Sequence, residues 1–283
     1  MTETKGMDWV AFIRKNRRQA TQLAIIAVII IPLLIPLGLP LPITDHPKGV
    51  YAIIEALGPE TKVICSMNIA IGLMGDVNPG TIAIFHHLFE RGVKLYIVGF
   101  NTDGVMVILE PYILAAANPE SYGYVYGEDW CVLGYIPGDT VAWYTFAADI
   151  RSSVQYDKYG NYIDDLPMMQ GINSLSDFDI MLDCGGDHTG TAVAQWADPY
   201  NMPFISSAGI GGVISSLEPF FKTGQIDGYV AGVTQGAEYE QLVGIPGRAL
   251  STIDGVALSN IFILFLVFLG NIMMFKSKGD DRE

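Results

Sequence analysis

The stretch Asp177–Ala197, DFDIMLDCGGDHTGTAVAQWA, decides the fold class. Phe178 to Leu182 reads as a short apolar strand. Asp183-Cys184-Gly185-Gly186-Asp187 reads as a sharp polar loop, and Thr189 opens a small-residue helix. A strand, a glycine turn and a helix make half of a βαβ unit. Open α/β sheets bind ligands at the carboxyl ends of such strands.

Read outward from there, the same alternation fills the body of the chain. Gly49–Leu57 has helical spacing and stops at Gly58-Pro59. Lys62–Met67 is a β-branched strand, followed by a long loop over Asn68–Gly80 and a helix over Thr81–Glu90. Lys94–Val98 is the second strand, with a helix over Val105–Ala117 and a Tyr-rich loop over Asn118–Gly127. Cys131–Tyr135 is the third strand. Asp139 is the expected N-cap of a helix running to Ser152. Ser153–Ser176 lacks periodicity and reads equally as a lid or a surface excursion. After the opening stretch, Pro203–Ser206 is the fifth strand, Ser207–Gly212 its turn and Val213–Phe221 its helix. Gly228–Ala231 is the sixth strand, and Gln235–Gln241 leads the last helix. Six strands alternating with helices predict an α/β fold with a doubly wound, mostly parallel sheet. Their continuous apolar character fits strands covered on both faces.

The two ends read as membrane segments. Half the residues are hydrophobic and mean hydropathy is +0.33. Leu23–Leu39 carries no charge and spans a bilayer more easily if the chain through Ile43 contributes. Pro32 and Pro36 predict a kink. No small-x-small cleavage site follows, so an uncleaved anchor is expected. Val256–Phe275 is a second uncharged run, followed by Lys276 and Lys278. Lys5, Arg14, Lys15, Arg17 and Arg18 precede the first run, so the positive-inside rule places both termini in the cytoplasm. The expected organisation is a basic cytoplasmic N-terminus (1–22), a first span (23–43), an extracytoplasmic Rossmann-like domain (44–255), a second span (256–275) and a cytoplasmic tail (276–283). Asn260 and Asn271 lie about three turns apart on one helix face beside Gly270. This face is a candidate contact with the first helix, another copy or another membrane subunit.

Charge narrows the partners further. Residues 45–254 hold 25 acidic and 8 basic residues. Such a body cannot neutralise a phosphate backbone, so nucleic acid is not an expected partner. The lipid bilayer is. Cys65, Cys131 and Cys184 show no metal spacing and read as buried free thiols.

Candidate ligand-binding residues are Asp183, Gly185, Gly186, Asp187 and His188 in the first turn, with Ser206, Ser207 and Gly209 in the second. Glycine turns expose backbone N–H groups to an anion or small polar ligand at a helix N-terminus. A turn that only reverses the chain is the plainer reading. Adjacent Asp183, Cys184, Asp187 and His188 argue against a shared metal, because neighbours in one loop seldom converge. SSAGIGG over Ser206–Gly212 lacks the full dinucleotide fingerprint, so no nicotinamide site is assigned and the cofactor stays unknown. His86-His87 falls in a helix, where adjacent residues do not share a face. Glu238 and Glu240 read as a charged helix start. No catalytic residue is assigned.

Several stretches carry a resemblance. FIRKNRR (Phe12–Arg18), KYGNYIDDLPMMQGINSLSDFDIMLD (Lys158–Asp183), QGAEYEQLVGIPG (Gln235–Gly247) and LGN (Leu269–Asn271) together resemble an uncharacterised prokaryotic group of membrane-anchored α/β proteins. Members carry one helix at each end and have no established activity. The resemblance implies architecture and no catalytic residues. The strand pattern also resembles half of a periplasmic-binding-type domain. The expected function is a non-catalytic subunit or ligand-binding module of a membrane assembly. The alternatives are an enzyme acting on a small polar or carbohydrate-like substrate, built from the Asn68–Gly80, Asp183–His188 and Ser206–Gly212 loops, and a structural spacer.

Overall fold

The computed structural model describes residues 17–212 and 216–280, with side chains placed for 18–212 and 216–272. Most of the basic N-terminal segment, the start of the helix expected at Val213, and Asp281–Glu283 lie outside the described residues. The chain divides into two units, Pro40–Leu250 and the pair of terminal segments Met1–Leu39 with Ser251–Glu283.

The α/β unit holds six strands: β1 (Lys62–Met67), β2 (Lys94–Gly99), β3 (Trp130–Tyr135), β4 (Ile180–Gly185), β5 (Phe204–Ala208) and β6 (Gly228–Ala231). Their order is β3-β2-β1-β4-β5-β6, and every pairing is parallel. This is the Rossmann order, which reverses direction between β1 and β4. Apolar side chains alternate to two sides of the sheet, each covered by helices. Ile64, Met181 and Phe204 meet Trp143, Phe146 and Trp196 on one side. Val63, Cys65, Leu182 and Ile205 meet Phe85 and Leu88 on the other. Burial on both faces is why the strands read as unbroken apolar runs.

The helices are α1 (Arg17–Leu34), α2 (Asp45–Glu55), α3 (Met74–Arg91) and a mostly π-type α4, with a π stretch at Asp103–Leu114 that ends in an α-helical turn at Ala115–Ala117. After β3 come α5 (Asp139–Ala148) and α6 (Ile150–Ser153). Helix α7 begins at Thr189–Ala192 and continues through a π stretch at Val193–Ala197. Then follow α8 (Glu218–Thr223), α9 (Gly232–Val243) and α10 (Arg248–Asp280).

Several expectations are corrected. The loop after β1 is short. A 3-10 turn at Ile71–Leu73 leads straight into α3, which begins at Met74 and contains Pro79. A proline normally breaks a helix by lacking an N–H and crowding the carbonyl four residues back. Here that carbonyl belongs to Gly75, which is exposed and open to water. Asp139 is not an N-cap. Gly138 holds that position at φ 128° and makes no side-chain cap, while Asp139 itself sits at φ 51°. The helix breaks at Asp149, whose carboxylate caps α6 through the Ser152 N–H.

The segment 153–176 is neither a free lid nor a surface excursion. Ile163, Met169, Ile172 and Leu175 are buried in the core. Arg151 ties the segment down through Asp164 (2.7 Å) and the carbonyls of Met169 and Ile172. Asp157 accepts from the Tyr126 hydroxyl (2.6 Å) and from the Tyr159 and Asn161 N–H groups.

Among the terminal segments, residues 248–272 form one helix long and apolar enough to cross a membrane. It starts earlier than the expected Val256. The apolar N-terminal helix is shorter than expected and ends at Leu34. Pro36 disfavours a helical conformation at the residue before it. The chain then runs non-helically through Gly38 at φ 65°. The N–H groups of Leu37, Gly38 and Leu39 are collected by the Asp254 carboxylate at 2.7, 2.9 and 3.1 Å. Much of α1 and α10 presents exposed apolar side chains, among them Ile26, Leu33, Leu264 and Phe268.

Candidate functional site

The reversal of strand order places the carboxyl ends of β1 and β4 side by side, and this is where the predicted loops meet. Strand β4 runs to Gly185, so Asp183, Cys184 and Gly185 lie in the strand and not in the loop. Strand β5 likewise runs to Ala208 and takes in Ser206 and Ser207. Both strands continue past their apolar runs, and Asp183 and Ser207 find side-chain partners inside the sheet layers.

Ser66, Asp183, Ser206 and Tyr229 stand in one register row across β1, β4, β5 and β6. The Asp183 carboxylate accepts the Ser66 hydroxyl at 2.6 Å and the Thr189 hydroxyl at 2.9 Å. It is fully buried, and burial raises its pKa against the pull of those two hydrogen bonds. The Ser206 hydroxyl is buried beside it with no hydrogen-bond partner among the described residues. Ser207 points to the opposite side, where its hydroxyl meets Thr81 at 2.8 Å. Asp187 is exposed and His188 half-buried, its ring 6.3 Å from that of Trp143.

The loops converge, and they fill one another. Gly185 sits at φ 137°, and a Cβ there would stand 2.7 Å from the Asn68 carbonyl oxygen. A Cβ on Gly186 would stand 2.7 Å from that of Ala208. Only glycine permits both the backbone angle and the approach. Gly209 is buried against Asp76.

Two residues outside the predicted set hold this arrangement together. The Asn68 carboxamide oxygen accepts from the Phe100 and Asn101 N–H groups at 2.7 and 3.1 Å, joining the β1 and β2 turns. Asp76 accepts from Ile210 N–H at 2.8 Å and Val233 N–H at 3.2 Å, joining the β5 and β6 turns. A polar residue directly after a strand is the signal that marks Asn68. Asp76 carries no such signal, because its partners lie 134 and 157 residues away.

The remaining acidic and histidine readings also change. Glu238 and Glu240 are buried, not a solvated helix start. Glu238 accepts from the Thr44 N–H and hydroxyl, each at 2.7 Å. Glu240 accepts from Gly247, Ala249 and Leu250 N–H groups. His86 pairs with the Tyr122 hydroxyl, and His87 with the Tyr239 hydroxyl and Glu55. Two cavities form elsewhere in the α/β unit. None of the eight predicted site residues lines either. One adjoins α3. The other lies at the amino ends of β5 and β6, beside Pro203 and Asp227.

No protein-family model matches the sequence, and no curated protein matches it. A solved structure, "Trehalose-6-phosphate synthase. OtsA", matches 82% of this chain and 46% of its own, at 9% identity and a TM-score of 0.31. The chain spans less than half the length of that synthase. A likeness this low carries no argument about substrate or activity.

Proposed function

We propose that this protein is a membrane-anchored, non-catalytic subunit that docks to another copy or another membrane protein through its second span. The observation that carries the reading is the position of Asn260 and Asn271. Both are exposed on the helix Arg248–Asp280, among exposed Ile261, Ile263, Leu264 and Phe268. Half-buried Phe262 and Leu266 lie on a different face, as does Ser259. A carboxamide facing hydrocarbon is costly unless a neighbouring helix meets it, and small Gly270 permits close approach there.

The anchoring follows from the apolar span and its basic flanks, with α1 as the second anchor and both termini cytoplasmic. Residues 40–250 then lie outside. The filled crevice supports the non-catalytic reading, because the Asp183 and Asp76 carboxylates there have both oxygens occupied. The same packing weakens the enzyme alternative.

Native mass spectrometry of the full chain, extracted gently from its own membrane, tests this. An assembly larger than one protomer is expected, dispersed by the Asn260→Leu, Asn271→Leu double variant. A strict monomer with no retained protein overturns the proposal.

A further inference from the structure

A pocket of about 200 Å³ lies between α3, the end of α4 and the chain after α9, apart from the strand-end crevice. Pro79, Ile82 and Ala83 wall one side, and Ala116, Ile245 and Pro246 the others. Its charged lining residues, Glu240 and Arg248, are of opposite sign, so no net charge selects an ion. Both Glu240 oxygens are already taken up by three N–H groups at 2.7 to 3.0 Å. That carboxylate fixes the wall instead of reaching for a ligand.

His86 is different. Its Nδ1 is held by the Tyr122 hydroxyl at 2.7 Å, and Nε2 has no hydrogen-bond partner among the described residues. Burial lowers its pKa, so the ring is neutral at pH 7. Beside the opposed charges of Glu240 and Arg248, the lining thus combines apolar walls with the uncharged His86 ring. An apolar cavity of about 150 Å³ is enough for benzene. Few oriented polar groups on apolar walls are what small-molecule sites are made of.

We propose that this pocket binds one uncharged, ring-sized molecule with a single hydrogen-bonding group. The ring lies on Pro79, Ile82 and Pro246, and the polar group meets His86. The proposal does not depend on the subunit reading above.

The full chain in lipid nanodiscs is titrated with 4-fluorophenol and with fluorobenzene, read by fluorine NMR against empty nanodiscs. Saturable binding of both is expected, with 4-fluorophenol about five-fold tighter, the worth of one neutral hydrogen bond. Ala116→Phe fills the pocket from an exposed wall position and abolishes both signals. Ala83→Leu does the same from the opposite wall. His86→Phe keeps fluorobenzene binding and removes the five-fold preference. No saturable signal beyond empty discs overturns the proposal, as does a signal that survives both filled variants. Equal affinity for the two probes overturns the role of His86.

Discussion

The Ser66 hydroxyl donates to the Asp183 carboxylate at 2.6 Å, across the seam between β1 and β4 where the strand order reverses. The contact makes the most prominent acid of the sequence a strut between strands. Losing it without replacement leaves the Ser66 hydroxyl buried and unpaired, while the Thr189 hydroxyl keeps the Gly186 carbonyl at 3.1 Å. Asp183→Leu is expected to cost about 2–4 kcal/mol, read as a lowered thermal midpoint of the full chain in nanodiscs. Asp183→Asn, which keeps an acceptor, is expected to stay within about 1 kcal/mol of wild type. Burial raises the folded-state pKa of Asp183. Its contribution is therefore full below the ordinary carboxylate value and is lost as pH rises through the raised one. The Asn variant lacks that loss, so its midpoint gains on wild type with rising pH. Parallel pH profiles for the two proteins would refute this account.

Gly185→Ala is expected to be among the most damaging single-atom additions in the domain. The φ of 137° is strained for alanine, and the new Cβ meets the Asn68 carbonyl. A cost of roughly 2–4 kcal/mol follows. Gly58→Ala, where a Cβ meets nothing within 4 Å, is the control and should leave the midpoint nearly unchanged. Equal midpoints for the two variants would mean that the strand-end loops are not packed on each other.

His87 makes stability depend on acid. It lies 1% exposed between the Tyr239 hydroxyl at 2.7 Å and Glu55 at 3.1 Å. Burial lowers its pKa, and the opposing pull of Glu55 is the smaller effect. The Glu55 contact is thus a hydrogen bond from a neutral ring. Nε2 carries the hydrogen and Nδ1 accepts from Tyr239. Stability from this group is present above the ordinary histidine value near 6.5 and is lost as pH falls through the depressed one. His87→Phe should start less stable and lose less between pH 7 and pH 5. His86, also lowered by burial, keeps part of the slope. An unchanged slope in His87→Phe would assign the acid sensitivity elsewhere.

Cys65 and Cys184 face each other across the same strand pair with sulfurs 3.8 Å apart, both fully buried and free. Burial pushes the Cys65 thiol well above its ordinary value, which removes the reactive thiolate. Cys131 is buried and raised in the same way. Folded protein at pH 8 should resist iodoacetamide at all three positions, and unfolded protein should take three labels by mass. Labelling of the folded chain would show local opening of the β1–β4 seam.

Much of the architecture was legible in the chain. Lys62–Met67 and Gly228–Ala231 were readable to the residue, because β-branched runs bounded by turns report on burial locally. The ends of β4 and β5 were not. Asp183 and Ser207 look like loop residues until Ser66, Thr189 and Thr81 are brought beside them, and those partners are six to 126 residues away.

The sequence by itself determined six strands alternating with helices and the apolar character of both termini, since hydrophobic periodicity and length are local properties. Only the tertiary structure decided what the acidic and glycine residues are for. Asp76, Glu238 and Asp254 turned out to hold backbone N–H groups of distant segments, and Glu240 those of the chain just after its own helix. Gly185 and Gly186 turned out to admit neighbouring loops. A carboxylate or a glycine reads the same in sequence whether it faces a ligand or its own chain. The difference lies in which atoms the fold brings within 3 Å.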